Sequence, residues 1–458
     1  MIKNQIITGT CVDYTYDGLG VVKYDTFCIF VKGMLKNEVG QIVITLVKKN
    51  FAYGRLLKLI NASNERVDAI CSNAKQCGGC QLQHFSYEHQ KEFKRDIVEN
   101  DMRKISKIDN EVLPVLAMDS PYGYRNKVML PVGKDKNGKS IMGFYRYNSH
   151  DIIQIDECSL QSERSNKLIK KIHELLDKYH LADLVRHVMI RDMLKTDQMM
   201  LVLVCYKNEK DRLKDFCKEI VEYETSIKSM VLNINNEDTN VVLGKQDILL
   251  YGQDHIIDQL CGLNFKISSH SFYQVNTYQT ERLYMQAIKS ANLSKDDNIL
   301  DLYCGVGTIG LIASQFVKKV TGVEIVEQAI ENAKENAKIN NIDNIEFICG
   351  DAQKLVKEFE NKGIHFDCIF VDPPRKGCST ETIKTLIELN SEKIVYISCQ
   401  PSTLARDLAI LKEYYNIEMI QPVDMFPQTY HVETVCLLFK IHEKNVMNVE
   451  LDLDGTSA

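Results

Sequence analysis

From about residue 298 the chain settles into an alternation that leaves little choice of fold. NILDLY, KVTGVEI, IEFICG, CIFVDPP and KIVYISC are five short apolar runs, separated by helical segments such as EQAIENAKENAKIN. Parallel neighbours need a crossover, and the crossover helices bury both faces of the sheet. The repetition therefore predicts a parallel sheet with helices on both sides. MFPQTYHVETVCLLFK then reads as a loop into a closing strand. In open sheets of this kind ligands sit outside the carboxyl ends of the strands. The residues just after each run are thus the candidates for chemistry.

The first of these turns is Asp301-Leu302-Tyr303-Cys304-Gly305-Val306-Gly307-Thr308-Ile309-Gly310. Its glycines satisfy the dinucleotide fingerprint G-x-G-x-x-G, and Glu324 ends the next run about 20 residues on. An NAD-dependent oxidoreductase fits that spacing. Asp301 favours another ligand, because a carboxylate at the strand end repels a pyrophosphate. It would attract the ammonium of S-adenosylmethionine. Glu324 would accept from ribose hydroxyls, and Asp351 stands where the adenine or sugar edge would lie. The fourth run ends in Asp372-Pro373-Pro374, whose prolines stop the strand and stiffen a loop at the ligand edge.

The fifth run ends Ser398-Cys399-Gln400-Pro401-Ser402-Thr403 before a helical stretch. Cys399 is then near a helix N-terminus, which lowers a thiol pKa and favours the nucleophilic thiolate; Ser402 or Thr403 would cap that helix. Glu433 precedes the final apolar run and is a candidate general base, with His431 as its competitor. One activated thiol, one base and a methyl sulfonium suit a particular reaction. Thiolate addition to C6 of uracil makes C5 nucleophilic, and a base must then remove the C5 proton so that the sulfur can leave.

Upstream the chain reads differently. Residues 1–60 hold about five Val-, Ile- and Thr-rich segments broken by turns at Asp17-Gly18, Gly33 and Gly40, which suggests a small closed barrel such as an OB fold. This stretch carries 8 Lys/Arg against 4 Asp/Glu, a local basic excess in a chain of net charge −6. A charged helix is expected from about Tyr87 to Lys107, and mixed α/β structure over 111–265. Hydrophobic residues at 45% and charged residues at 26% are ordinary for a globular protein. No apolar run is long enough to span a bilayer and no signal peptide is visible, so a cytoplasmic protein with no membrane partner is expected. The fifteen cysteines are odd in number. In a reducing compartment, clustered thiols point to a metal or to catalysis. Cys71, Cys77 and Cys80 lie in CSNAKQCGGCQLQHF, and Cys158 is the choice for a fourth ligand. Four thiolates suit an iron–sulfur cluster or a structural zinc; the wide spacing leans to iron–sulfur.

SCxPxT around Cys399, HxET around Glu433, FYQVN at 272–276 and the DLYCGxGT loop together resemble the RNA uracil-5-methyltransferase family. The cysteine cluster and the N-terminal barrel resemble its iron–sulfur branch with a TRAM domain, which acts on 23S ribosomal RNA. The resemblance implies Cys399 as nucleophile and Glu433 as acceptor of the C5 proton. It implies S-adenosylmethionine contacts from Gln274, Tyr303, Thr308, Glu324, Asp351 and Asp372, and a [4Fe–4S] cluster on Cys71, Cys77, Cys80 and Cys158. Read from spacing alone, QVN is a helix cap. Tyr124-Arg125-Asn126-Lys127 also resembles a family motif near the RNA, with Arg125 and Lys127 as phosphate or base contacts. Transfer-RNA relatives are expected to lack both barrel and cluster.

The expected architecture is a multidomain α/β chain: a TRAM or OB-like barrel over 1–60, a central α/β region with the iron–sulfur cysteines over 61–276, a Rossmann-like class I methyltransferase domain over 277–445 and an acidic tail over 446–458. The expected partner is RNA with its target uridine flipped out, bound by a monomer. A non-catalytic RNA-binding or assembly protein is the remaining alternative.

Overall fold

The computed structural model describes residues 1–442, so the acidic tail over 446–458 lies outside the described residues. Strands β1 (Ile6–Tyr14), β2 (Gly20–Tyr24), β3 (Phe27–Lys32), β4 (Val39–Val47) and β5 (Phe51–Asn61) form a closed barrel in the order β1-β2-β3-β5-β4. The parallel pairing of β3 with β5 completes the ring, which removes free strand edges. Alternate residues point inward, and Cys11, Val22, Ile29, Val31, Ile42 and Ile44 fill the interior.

The cysteine-bearing stretch then leads into helix α1 (Tyr87–Asp101), whose N-cap Ser86 accepts from His89 N. A π turn extends the helix over Met102–Ser106 and ends at Lys107 in a left-handed conformation. The expected helix is therefore present but changes its winding in its last turn. Strands β6 (Lys127–Lys134), β7 (Ser140–Tyr145), β8 (Ile152–Gln154), β9 (Val185–Met193), β10 (Gln198–Cys205), β11 (Ile227–Ile234) and β12 (Gln246–Gly252) form a central sheet in the order β12-β11-β10-β9-β6-β7-β8. Helices α2 (Glu163–Lys178) and α3 (Lys214–Tyr223) share the core on one side of it. Leu168, Ile169, Ile172, Leu175 and Leu176 recur at helical spacing on α2 and are all buried. Each contributes about 1.5–3 kcal/mol by leaving water. A hairpin of β13 (His255–Leu260) and β14 (Leu263–Ser268) leads to α4 (Thr277–Ala291), where Asn276 accepts from Gln279 N as the N-cap. QVN is a helix cap, as its composition suggests.

The last third follows the expected alternation. Strands β15 (Asn298–Leu302), β16 (Lys319–Glu324), β17 (Ile345–Cys349), β18 (Cys368–Val371) and β19 (Lys393–Ser398) are parallel. Helices α5 (Thr308–Ser314), α6 (Glu327–Ile339), α7 (Ala352–Asn361), α8 (Thr380–Glu388) and α9 (Pro401–Leu411) connect or follow them. Two further strands, β20 (Tyr415–Val423) and β21 (Glu433–Lys440), complete the order β17-β16-β15-β18-β19-β21-β20. β21 inserts antiparallel between β19 and β20. The closing strand is thus half of a hairpin; β20, whose first residues alternate between buried and exposed, was not anticipated. Strand order reverses between β15 and β18, and such a switch point opens a crevice at the carboxyl ends. Among the described residues, no helix is long and apolar enough to cross a membrane.

Candidate active site

The glycine turn lies at that switch point, between β15 and α5. Tyr303 takes φ +64°, Gly305 +54° and Gly307 +80°, so three residues in five hold left-handed backbone. Glycine adopts this freely, whereas tyrosine does so only under constraint. A Cβ on Gly307 would stand 2.8 Å from the Phe347 ring. Asp301 lies beneath the turn. Its Oδ2 accepts from Gly310 N at 2.8 Å, its Oδ1 is buried without a partner, and burial pushes the carboxyl up to about 8. Asp301 thus supports the loop through Oδ2, while Oδ1 is left without a partner. Glu324 ends β16 and braces the same region: Oε2 accepts from Gly305 N at 3.3 Å, and Oε1 from Ile325 N at 2.8 Å and Val326 N at 3.0 Å. The Tyr303 hydroxyl meets Thr382 Oγ1 at 3.1 Å, with Asp351 close enough to raise its pKa. Thr308 opens α5 directly after the turn.

Cys399 and Glu433 converge. Cys399 follows β19 and Glu433 begins β21, the neighbouring strand. Burial pushes the Cys399 thiol up to about 11, and Glu433 and Asp372 add to the rise while Arg375 opposes it. Glu433 is fully buried and pushed up to about 8, by burial first and then by Asp372. Burial alone lifts Asp372 to about 7. The expectation of a lowered thiol pKa is therefore corrected for the ligand-free protein. Desolvation and two carboxylates outweigh the helix end. The expected cap is corrected too. Gln400 is the N-cap of α9 without a side-chain bond, Pro401 stands at the first turn, and Thr403 Oγ1 bonds the carbonyls of Gln400 and Arg375. His431 is pushed down to about 4 by burial, Arg375 and Lys94, which makes it a far weaker base than Glu433.

Gln274 joins this group through a residue the sequence did not single out. Its side chain bonds the hydroxyl of Tyr284, a buried α4 residue that lies within the field of Asp372, Glu433 and Asp301. Tyr284 sits on the apolar face of α4 and reads as core. Arg375 was also missed, although the basic pair Arg375-Lys376 directly after Asp372-Pro373-Pro374 was a usable signal. Phe272, two residues before Gln274, is 77% exposed. Asn126 ties the two upstream motifs together: its Nδ2 donates to Gln274 O and its backbone N to Val275 O.

The four chosen cysteines also converge, elsewhere. Cys71, Cys77, Cys80 and Cys158 line one cavity of roughly 250 Å³ between the cysteine loop and the edge of the central sheet. Each of Cys77, Cys80 and Cys158 has its thiol raised by burial first and then by others of the set. All fifteen cysteines are free thiols. Among the described residues, no three His, Cys, Asp or Glu side chains form a group suited to a single metal ion. Arg125 and Lys127 line the same cavity. Lys127 is partly buried and pushed down to about 8 by burial and by its cationic neighbours Arg191 and Arg125. Both residues, expected as RNA contacts, thus stand at the cysteine cavity, Arg125 just before β6 and Lys127 at its first position.

A switch-point crevice with a strained glycine turn and acidic strand ends defines the class, an α/β enzyme that binds a nucleotide-like cofactor. The comparisons narrow it. The model of the tRNA (uracil-5-)-methyltransferase family matches residues 86–441. An uncharacterized RNA methyltransferase of Staphylococcus aureus (strain COL) is 44% identical over 444 residues, covering 95% of this chain and 98% of that protein. Another, of Clostridium tetani (strain Massachusetts / E88), is 45% identical over 430 residues, covering 92% and 93%. Among solved structures, the Pyrococcus abyssi tRNA (uracil-54, C5)-methyltransferase in complex with S-adenosyl-L-homocysteine superposes with a TM-score of 0.74 at 29% identity, over 94% of this chain and 99% of that one. The chain belongs to the tRNA (uracil-5-)-methyltransferase family. Neither the oxidoreductase nor the non-catalytic reading gains support from these matches. The last neighbour also bears on an expectation: it is a transfer-RNA enzyme whose match spans too much of this chain to leave out the barrel.

Proposed function

We propose that this protein methylates C5 of a uridine in RNA, using S-adenosylmethionine, and that its substrate is 23S ribosomal RNA. The observation that carries the reading is the convergence of Cys399 and Glu433, each at the end of one of the neighbouring strands β19 and β21 and within the other's field. Tyr303, Thr308, Glu324, Asp351, Asp372 and Gln274 would hold the cofactor around that turn. When bound, S-adenosylmethionine supplies the methyl group that C5 takes up and adds a positive charge to an acidic pocket. That charge favours the ionised forms of Cys399 and Glu433. The Cys399 thiolate adds to C6, forming a C–S bond and moving electron density to C5. After methylation Glu433 receives the C5 proton, the C–S bond breaks and the thiolate leaves. Exposed Phe272 offers a face on which a flipped base would stack.

A groove of roughly 660 Å³ runs from the barrel to Tyr430, lined by Lys32, Tyr145, Arg146, Tyr147 and His150 among others. Interleaved cations and aromatics suit a single-stranded RNA segment. Cys71, Cys77, Cys80 and Cys158 would hold a [4Fe–4S] cluster. Four unpaired thiols around one cavity, flanked by Arg125 and Lys127, fit a net-anionic thiolate cluster. We read the protein as cytoplasmic and monomeric.

A second reading, methylation of transfer RNA, is favoured by the P. abyssi neighbour. RNA carrying 5-fluorouridine tests the chemistry, because fluorine cannot leave C5 as a proton. A stable adduct lost in Cys399→Ala supports the mechanism; its absence with the unaltered protein refutes it. Mapping 5-methyluridine in ribosomal and transfer RNA, from cells with and without the protein, decides the substrate.

A further inference from the structure

The loop between Val423 and Glu433 carries the base, and it is held from outside its own hairpin. Five consecutive backbone carbonyls accept hydrogen bonds from other parts of the chain. Gln279 Nε2 donates to Asp424 O, Asn276 Nδ2 to Met425 O, Lys94 Nζ to Phe426 O and the Tyr124 hydroxyl to Pro427 O. The fifth, Gln428 O, accepts from both Gln81 N and Leu82 N at 3.0 Å, the two residues directly after Cys80. Gln428 also exchanges two bonds with the side chain of Gln90, Nε2 to Oε1 at 3.0 Å and N to Oε1 at 3.0 Å. Its backbone is left-handed at φ +71° although it is not glycine. A side chain stays in that region only when its surroundings impose it. Two residues on, Tyr430 packs on the apolar cluster of Leu82, Phe85 and Phe93. The cysteine segment is therefore the bed on which the base-bearing loop rests.

We propose that the cysteine segment positions the catalytic base: filling the four-thiol cavity fixes residues 71–82, and Gln428 passes that order to the loop that ends at Glu433. Gln428 is a positioning residue, and the cavity acts as an iron-dependent control on turnover. The control rests on the iron–sulfur reading given above. Without an occupant, four half-buried thiols share one cavity, and among the described residues Gly79 N and Gln83 are what bonds the segment's sulfurs. Local order there falls, and Gln428 loses the two backbone donors that hold its carbonyl. Cys399 directly follows β19, outside this network, so addition to C6 survives while loss of the C5 proton slows.

The test uses the anaerobically isolated protein before and after iron removal by dithionite and a chelator. Amide exchange should accelerate on the order of tenfold over 71–82 and also over 424–432. Adduct formation with 5-fluorouridine RNA should persist, while release of methylated uridine-containing RNA falls on the order of tenfold. In the iron-loaded protein, Gln428→Ala should reproduce the slow release, because alanine resists the left-handed backbone. Gln428→Gly should release product faster than Gln428→Ala, because glycine keeps the carbonyl in place. Faster exchange confined to 71–82 with release unchanged overturns the proposal, as does equal release by the two Gln428 variants. Absence of iron from the isolated protein overturns the cluster reading and the iron control, while the Gln428 pair still decides the positioning role on its own.

Discussion

Two half-buried thiol sites in this molecule have opposite surroundings. Around Cys399 the neighbours that matter are carboxylates, Asp372 and Glu433, with Arg375 in partial opposition. Around Cys71, Cys77, Cys80 and Cys158 they are cations: Arg125 and Lys127 line the cavity, and Lys32 of the barrel lies close enough to Cys77 to lower its pKa. The difference says what each site is built to receive. A site that raises the pKa of a thiol and of two carboxyls together is suited to receive a cation. A cavity that gathers four thiols beside fixed cations is suited to keep an anionic assembly.

The largest effect expected separates the two outright. Cys399→Ala should abolish methyl transfer and the 5-fluorouridine adduct while leaving iron content unchanged. Loss of iron in that variant would mean that the sites are not independent. Next is Glu433→Gln. Turnover should fall about 10²–10⁴-fold, the range for a lost general base, while adduct formation persists. A variant that turns over normally removes Glu433 from the reaction. On the other side, Arg125→Gln combined with Lys127→Met should weaken iron retention about 10–100-fold, as for other groups just outside a metal's ligands. Binding of S-adenosylmethionine, followed by calorimetry, should not change. If RNA affinity falls and iron stays, the two cations serve the RNA after all.

The two sites also differed in how far they could be read. The parallel sheet was legible because its strands are buried on both faces and read as unbroken apolar runs, as in CIFVDPP and KIVYISC. Cys399 and Glu433 were singled out because they end and begin such runs. β20 was not, since YNIEMIQPV mixes polar and apolar residues until the hairpin is known. Tyr284 could not be found: a buried tyrosine on an amphipathic helix has no mark until Gln274 is seen bonded to it. Arg125 and Lys127 were noticed, but their place at the cysteine cavity was not. They stand just before and at the start of β6, and which residues there meet Cys158 depends on contacts more than thirty residues apart. The link through Gln428 was hidden for the same reason, because it joins residues near 81 to residues near 428.

The smallest effect tests the acidic pocket itself. Asp372, Glu433 and Asp301 are raised to about 7, 8 and 8 in the ligand-free protein. A carboxyl raised on folding stabilises the fold below its unfolded pKa, and that contribution is lost as pH rises through the folded value. Thermal stability of the ligand-free protein should therefore decline from about pH 4 to pH 8. A bound sulfonium and ammonium pull these pKa values down, so protons leave as S-adenosylmethionine binds. Its affinity should then rise severalfold between about pH 6 and pH 8, with proton release visible as a buffer-dependent heat at pH 7. Asp372→Asn removes one titrating group and should shrink that release. Release that is absent in the unaltered protein, or unchanged in Asp372→Asn, would mean that the carboxyls near Cys399 are already ionised without a ligand. The contrast with the cation-lined cavity would then lose its basis.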